Sequence, residues 1–239
     1  MTRTRPRIAT EEDYWRMFDL IRGDVETAIK SNFTYLTIHR LAAENAEIFD
    51  KYNRFAEFWM LNAYSLQTTF FVTFGRIFDT RRDVYSVHKV VEGAIANPSF
   101  FSKSALRARK RKASRIADVD PGWLVEYVAH AWEPTRAELE PLRIALAPNF
   151  AKFKAIYQPI RHQVFAHKSI QDDKAILALF EKTLISDVQE ILRFLHTLFW
   201  AIWEMAWNAK RPDLTDFRSY DGEVKRLINK TEEFIRELP

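Results

Sequence analysis

Five glycines in 239 residues leave this chain few ways to turn a strand back on itself. Tight hairpins need backbone with positive φ, which glycine supplies at least cost. The dipeptides Asn-Gly and Gly-Gly are absent, and the single Asp-Gly, Asp221-Gly222, precedes a helical pattern. No stretch alternates strictly between apolar and polar residues. Apolar residues recur instead at three- and four-residue spacing, the mark of amphipathic helices. The fold class read from this is all-α.

Local signals delimit the helices. Thr10 ahead of Glu11, Glu12 and Asp13 is a helix start. The run it opens reaches about Glu47, with Asn32 a candidate break. A second helix is expected from about Asn53 to Phe78, carrying Phe55, Phe58, Trp59, Leu61, Leu66, Phe70, Phe71, Phe74 and Phe78. A turn at 80–83 leads to a short helix from Ser86 that stops before Asn97-Pro98. Further helices are expected over 99–115 and 123–132. From Pro134 to His167 the pattern stays helical, but Pro141, Pro148 and Pro159 should each end or kink it. After a polar break at 171–173 and a short helix near 176–182, Ser186 and Gln189 form a capping-box pair. That pair is expected to open a long helix to about Asn208. Arg211-Pro-Asp213 closes it, and a polar helix over about 221–238 ends the chain.

Nearly half the residues are hydrophobic, enough for a sizeable core, and no linker or repeat divides the chain. One domain is expected, with residues 1–9 a flexible basic tail and 211–239 a helical extension. With no cysteine, disulfides, thiolate metal sites and a cysteine nucleophile are excluded. The N-terminus lacks the apolar stretch of a secretory signal. The greasiest segment, Phe194–Trp207, is interrupted by His196 and Glu204 and is too short to span a bilayer. A cytoplasmic protein without membrane partners is the expectation.

Charge is concentrated. Lys103, Arg107, Arg109, Lys110, Arg111, Lys112 and Arg115 lie within thirteen residues free of acids, in a chain whose total is +4. The remainder is therefore net acidic. On one helix Arg107, Arg111 and Arg115 would share a face. This run could hold RNA phosphates or could simply be a solvated face. No aromatic residue interleaves with it, so it is not a base-stacking platform.

The stretch IRHQVFAHKS (160–169) sets Arg161, His162 and His167 within seven residues. Metal-free RNA cleavage needs a base for the 2′-hydroxyl proton, an acid for the leaving 5′-oxygen, and a cation for the charge growing on the phosphoryl oxygens. Histidine suits the proton work and arginine the phosphate. Spacing alone decides little, because Arg82 and His88 match it too. On an uninterrupted α-helix Arg161 and His167 would stand about 120° apart around the axis. Convergence on one phosphate thus requires the helix to end between them, or a partner subunit to complete the site. The other histidines, His39, His88, His130 and His196, lack metal-ligand spacing. No metal site and no cofactor are expected.

IRHQVFAHKS resembles the signature of the HEPN superfamily, small all-helical proteins with an arginine, a polar residue and a histidine a few positions on. The Phe-Ala-His form resembles the subgroup associated with phage abortive infection. FGRIFDTRRD (74–83) resembles that subgroup's Gly-Arg-hydrophobic-Phe-Asp motif at the end of the second long helix. The resemblance implies a HEPN-like helical bundle with additional N-terminal and inserted helices. It further implies a metal-independent endoribonuclease acting as a homodimer, on RNA, with an antitoxin or inhibitor as a possible partner. Arg161 would bind phosphate, His167 would move protons, His162 would assist, and Arg76 and Asp79 would form a supporting shell.

Plainer readings stand beside these. Arg76 and Asp79, three residues apart, can form an ordinary ion pair. Trp200, Trp203 and Trp207 lie on one helix face, where core packing is the default and a dimer interface the sharper option. A non-catalytic module that binds RNA or protein, or a helical scaffold with no nucleic-acid role, would also fit the chain.

Overall fold

Thr10 caps the first helix as its sequence predicts. Its hydroxyl accepts from the Asp13 amide (3.1 Å) and the Asp13 carboxylate accepts from the Thr10 amide (3.2 Å), a reciprocal box that satisfies two otherwise orphaned donors. The helix α1 (Glu11–Glu44) then runs 34 residues without a break at Asn32. Tyr14, Met17, Phe18, Ile21, Val25, Ala28 and Ile29 bury one stripe of it. Asn45 ends α1 and begins α2 (Ala46–Arg54): its amide donates to the Leu41 carbonyl and its side chain accepts from the Ile48 amide. The second long helix, α3 (Ala56–Ile77), packs along α1.

The computed structural model describes residues 10–116, 119–166 and 173–237. After α3 come α4 (Val87–Ala96), a short turn of helix at Pro98–Phe101, α5 (Lys103–Ala113), α6 (Gly122–Ala129) and α7 (Arg136–Lys152). Then follow α8 (Gln158–Ile160), α9 (Asp173–Phe180), α10 (Ile185–Asn208) and α11 (Arg218–Glu237). No strand occurs among the described residues, so the fold is all-α. The main core lies between α1, the second half of α3, α4, α7 and α10. A smaller cluster of Ile38, Leu41, Ile48, Tyr52 and Ile235 ties α2 and α11 to the far end of α1. None of the described helices is long and apolar enough to cross a membrane.

Pro141 and Pro148 are expected to end or kink the helix; α7 runs through both, so neither ends it. Each costs roughly 3 kcal/mol in a helix interior, and the burial of Leu139, Leu142 and Leu146 on the core side offsets that. Two further expectations, on Ser186 and Arg115, are corrected. Ser186 does not cap α10. The helix starts at Ile185 after Leu184, whose carbonyl accepts from the buried Tyr157 hydroxyl (3.3 Å), and Ser186 is already inside. Arg115 does not share a face with Arg107 and Arg111, because α5 stops at Ala113 and Arg115 adopts the left-handed conformation (φ 53°).

The stretch after α7 is wound unusually. It widens to π geometry over Phe153–Tyr157, tightens through α8, and widens again over Arg161–Ala166. Pro159 gives a physical cause for the first widening. A proline ring clashes with the carbonyl four residues back in a tight helix, here that of Ala155, and a wider turn makes room.

Candidate active-site cleft

Arg161 opens the second π turn, and its position depends on a glycine on another helix. A Cβ placed on Gly75 of α3 would come within 2.5 Å of Arg161 Cδ and closer still to Nε. Glycine in a helix interior costs about 1 kcal/mol relative to alanine. Here the missing side chain is what lets the arginine cross α3. Phe71 and Phe165 stack nearly parallel, with ring centres 4.6 Å apart, and clamp the π turn against the same helix. The phenylalanine of the Phe-Ala-His stretch is thus a packing group.

The crossing creates a cleft of about 450 Å3 between the end of α3, the loop that follows it, and 150–162. Arg161, Lys154 and Arg81 supply positive charge, with His162 at the rim. Phe78, Phe150 and Phe153 form an aromatic wall, in which Phe78 stacks on Phe153 at 4.7 Å. Arg161 Nε is buried and has no hydrogen-bond acceptor among the described residues. A buried cationic donor without an acceptor is costly.

Asp79 also lines the cleft, with its side chain only 11% exposed. It accepts from the Arg81 amide (2.9 Å) and from Arg81 Nε and Nη2 (3.1 and 2.8 Å). Burial pushes the Asp79 carboxyl upward, but Arg81's hydrogen bonds and charge, with the nearby Arg161 charge, outweigh it and hold the carboxyl below its ordinary value. Asp79 therefore stays ionised, fixes Arg81 at the mouth, and attracts the Arg161 guanidinium.

Other expected residues lie elsewhere. Arg76 does not pair with Asp79 and does not line the cleft. It ties α3 to α1 through Asp24, with Nη2–Oδ1 2.5 Å and Nε–Oδ2 3.2 Å. His167, the expected proton carrier, lies outside the described residues. From Arg161 the chain continues as a wide turn to Ala166. The rival pair is a poor proton-transfer site, because the His88 ring packs perpendicular to Phe150, with ring centres 4.4 Å apart, and burial holds its pKa down. Among the described residues no group of three or more acidic or histidine side chains could hold a metal ion.

The basic segment is largely engaged in the fold. Arg109 is 10% exposed and donates to the carbonyls of Phe100 and Ala206 while pairing with Glu11. Arg107 and Arg111 both pair with the buried Asp120. Lys103 donates to the Ala129 carbonyl (2.7 Å), and Lys110 lies over the Tyr127 ring. Lys112 and Arg115 remain exposed. A continuous phosphate-binding face is not what this helix presents. On α10, Leu195, Leu198, Phe199 and Ile202 are buried, and the three tryptophans form a stacked ladder in which Trp203 and Trp207 are partly buried against the core and Trp200 is 41% exposed.

Gly75, Arg81, Phe150 and Lys154 were not among the residues singled out from the sequence as a site. Gly75 carried a usable signal, since a glycine inside an apolar helical run marks close approach of another group. The others became site residues only through packing. No family model, curated protein or solved structure matches the chain.

Proposed function

We propose that the protein is a metal-independent endoribonuclease of the HEPN type, acting in phage defence or toxin-like growth arrest in the cytoplasm. The observation that supports this most is that Gly75 and Asp79, from one stretch carrying the resemblance, share a cleft with Arg161 from the other. The two stretches lie some eighty residues apart in the sequence. A guanidinium lining a cleft beside further cations suits a phosphodiester.

In this reading Arg161 donates to the non-bridging phosphoryl oxygens and offsets their growing charge. A histidine takes the 2′-hydroxyl proton, the 2′-oxygen bonds to phosphorus, and the bond to the 5′-oxygen breaks as that oxygen receives a proton. The products are a 2′,3′-cyclic phosphate and a 5′-hydroxyl. His167 is assigned the proton transfer and His162, at the rim, assists. Arg81, held by Asp79, steers the anion inward. The test is RNA cleavage in excess EDTA by wild type, Arg161→Ala and His167→Ala. Loss of cutting in both folded variants is expected. Equal cutting by all three would sink the assignment.

One observation favours a second reading, a non-catalytic module that binds protein. Phe55, Phe58, Met60, Leu61 and Tyr64 are all more than half exposed around the start of α3, and apolar patches of this kind mark partner surfaces. This patch is not where a homodimer would bring two Arg161 together. Phe58 and Gly75 are seventeen residues apart on one helix, or about 25 Å. Sedimentation of the wild type against Phe58→Ser with Leu61→Ser tests whether a second copy covers the patch. Full binding of a partner by a chain that never cuts RNA would favour this reading.

A further inference from the structure

The cleft is larger than a phosphate needs, and its lining combines two chemistries. Arg161, Lys154 and Arg81 carry positive charge beside the Asp79 carboxylate, and Phe78, Phe150 and Phe153 contribute rings. A volume of about 450 Å3 falls within the range of sites that enclose a small organic ligand. Phosphate uses only the positive charge. Something flat and aromatic, covalently tied to a phosphate, uses both.

We propose that the cleft takes one unpaired nucleotide, with its base against Phe150 and its phosphate on Arg161 and Lys154. The proposal rests on the reading of the cleft as an RNA site and names what that site selects. Three features carry it. Phe78 and Phe153 are almost fully buried and stacked on each other, so the wall is rigid. Phe150 is only partly buried, and it packs perpendicular to the His88 ring with centres 4.4 Å apart and beside the Phe78 ring at 6.2 Å. A fixed ring with residual exposure is a ready surface for a nucleobase. Lys154, exposed and two helical turns before Arg161, adds a second cation on the cleft side.

Selectivity follows from the geometry. A base inside a duplex presents no free π-face, so only an unstacked nucleotide reaches the wall. The cleft therefore discriminates single-stranded loops and ends from paired RNA. It has no need of the extended basic face that the segment 103–115 fails to provide.

Titration calorimetry at low salt tests this on the full chain, with uridine 3′-monophosphate, adenosine 3′-monophosphate, inorganic phosphate and uridine as probes. The nucleotides should bind about tenfold more tightly than phosphate, the lower end of what base stacking on an aromatic ring supplies. Phe150→Leu should erase that gap and leave phosphate affinity in place. Lys154→Gln, at an exposed position, should weaken nucleotide and phosphate alike. Should Phe150→Leu misfold, Phe150→Tyr should fold and keep the gap. Equal affinity for nucleotide and phosphate would overturn the base site while leaving the nuclease reading intact. Tight nucleotide binding without RNA cleavage would do the reverse. Binding of neither at millimolar concentration would overturn the proposal.

Discussion

The two halves of α3 carry the same kind of side chain and meet opposite fates. Phe58, Met60, Leu61 and Tyr64 in the first half face solvent, with Phe58 59% exposed. Phe70, Phe71, Phe74 and Ile77 in the second half are buried, with Phe74 fully so. Both halves keep close to helical spacing, and nothing in their composition separates them. What differs is the neighbours. Phe74 meets Phe70, Phe78, Phe153 and Tyr157, and Phe71 meets Phe165, whereas the first half has only Trp59 and Leu66 anchored to the small cluster by α2 and α11. Helical spacing predicts that an apolar face exists. It does not predict that the chain itself covers that face.

The largest expected effect breaks the symmetry of the two halves directly. Phe74→Ala should destabilise the fold by about 3–5 kcal/mol, and Phe58→Ala by less than about 0.5 kcal/mol, in urea denaturation. Comparable losses would mean that the first half is covered after all. The same contrast holds for charge on α5. Arg109→Ala should cost about 2 kcal/mol, because the carbonyls of Phe100 and Ala206 lose their donor while the partly exposed Glu11 can be rehydrated. Lys112→Ala should be near neutral.

A smaller effect tests the contact between α3 and the π turn. Gly75→Ala should cost about 1–2 kcal/mol through overpacking, partly offset by better helix propensity, and should cut any RNA cleavage at least tenfold by displacing Arg161. In an Arg161→Ala background most of the stability loss should vanish, since the clash is removed. Simple additivity would show that Gly75 does not make room for the arginine.

The mildest effect is acid sensitivity at the buried end. Burial lowers the pKa of His88 in the folded chain, so between that value and about 6.5 the unfolded chain binds the extra proton. Its contribution to stability is complete above about pH 6.5 and is lost as pH falls through the lowered value. His88→Phe should flatten that limb of the stability curve. An unchanged limb would assign it to another group, such as His39, which burial shifts the same way.

Much of the fold was legible in local chemistry. The Thr10–Asp13 box, the stop of α4 before Asn97-Pro98, and the end of α10 at Asn208 all sit where short-range signals place them. Signals failed elsewhere. α7 continues through Pro141 and Pro148 with Leu139, Leu142 and Leu146 buried beside them, and α10 starts one residue before Ser186. Asn45, which separates α1 from α2, carries a local capping signal that the sequence reading passed over. In the cleft, Arg161, His162 and Asp79 are singled out in the sequence only by the resemblance their two stretches carry, since arginine and aspartate are common along the chain. Arg76 was misplaced because its partner, Asp24, lies fifty-two residues away.

Helical class, helix periodicity and most of the caps follow from the sequence by itself, since each depends on contacts within a few residues. Which apolar face is covered, which cations are free, and where the helix widens were decided only by tertiary packing. These depend on pairs such as Gly75–Arg161, Phe71–Phe165 and Arg109–Ala206, and no local preference encodes a partner that the chain brings in from some ninety residues away.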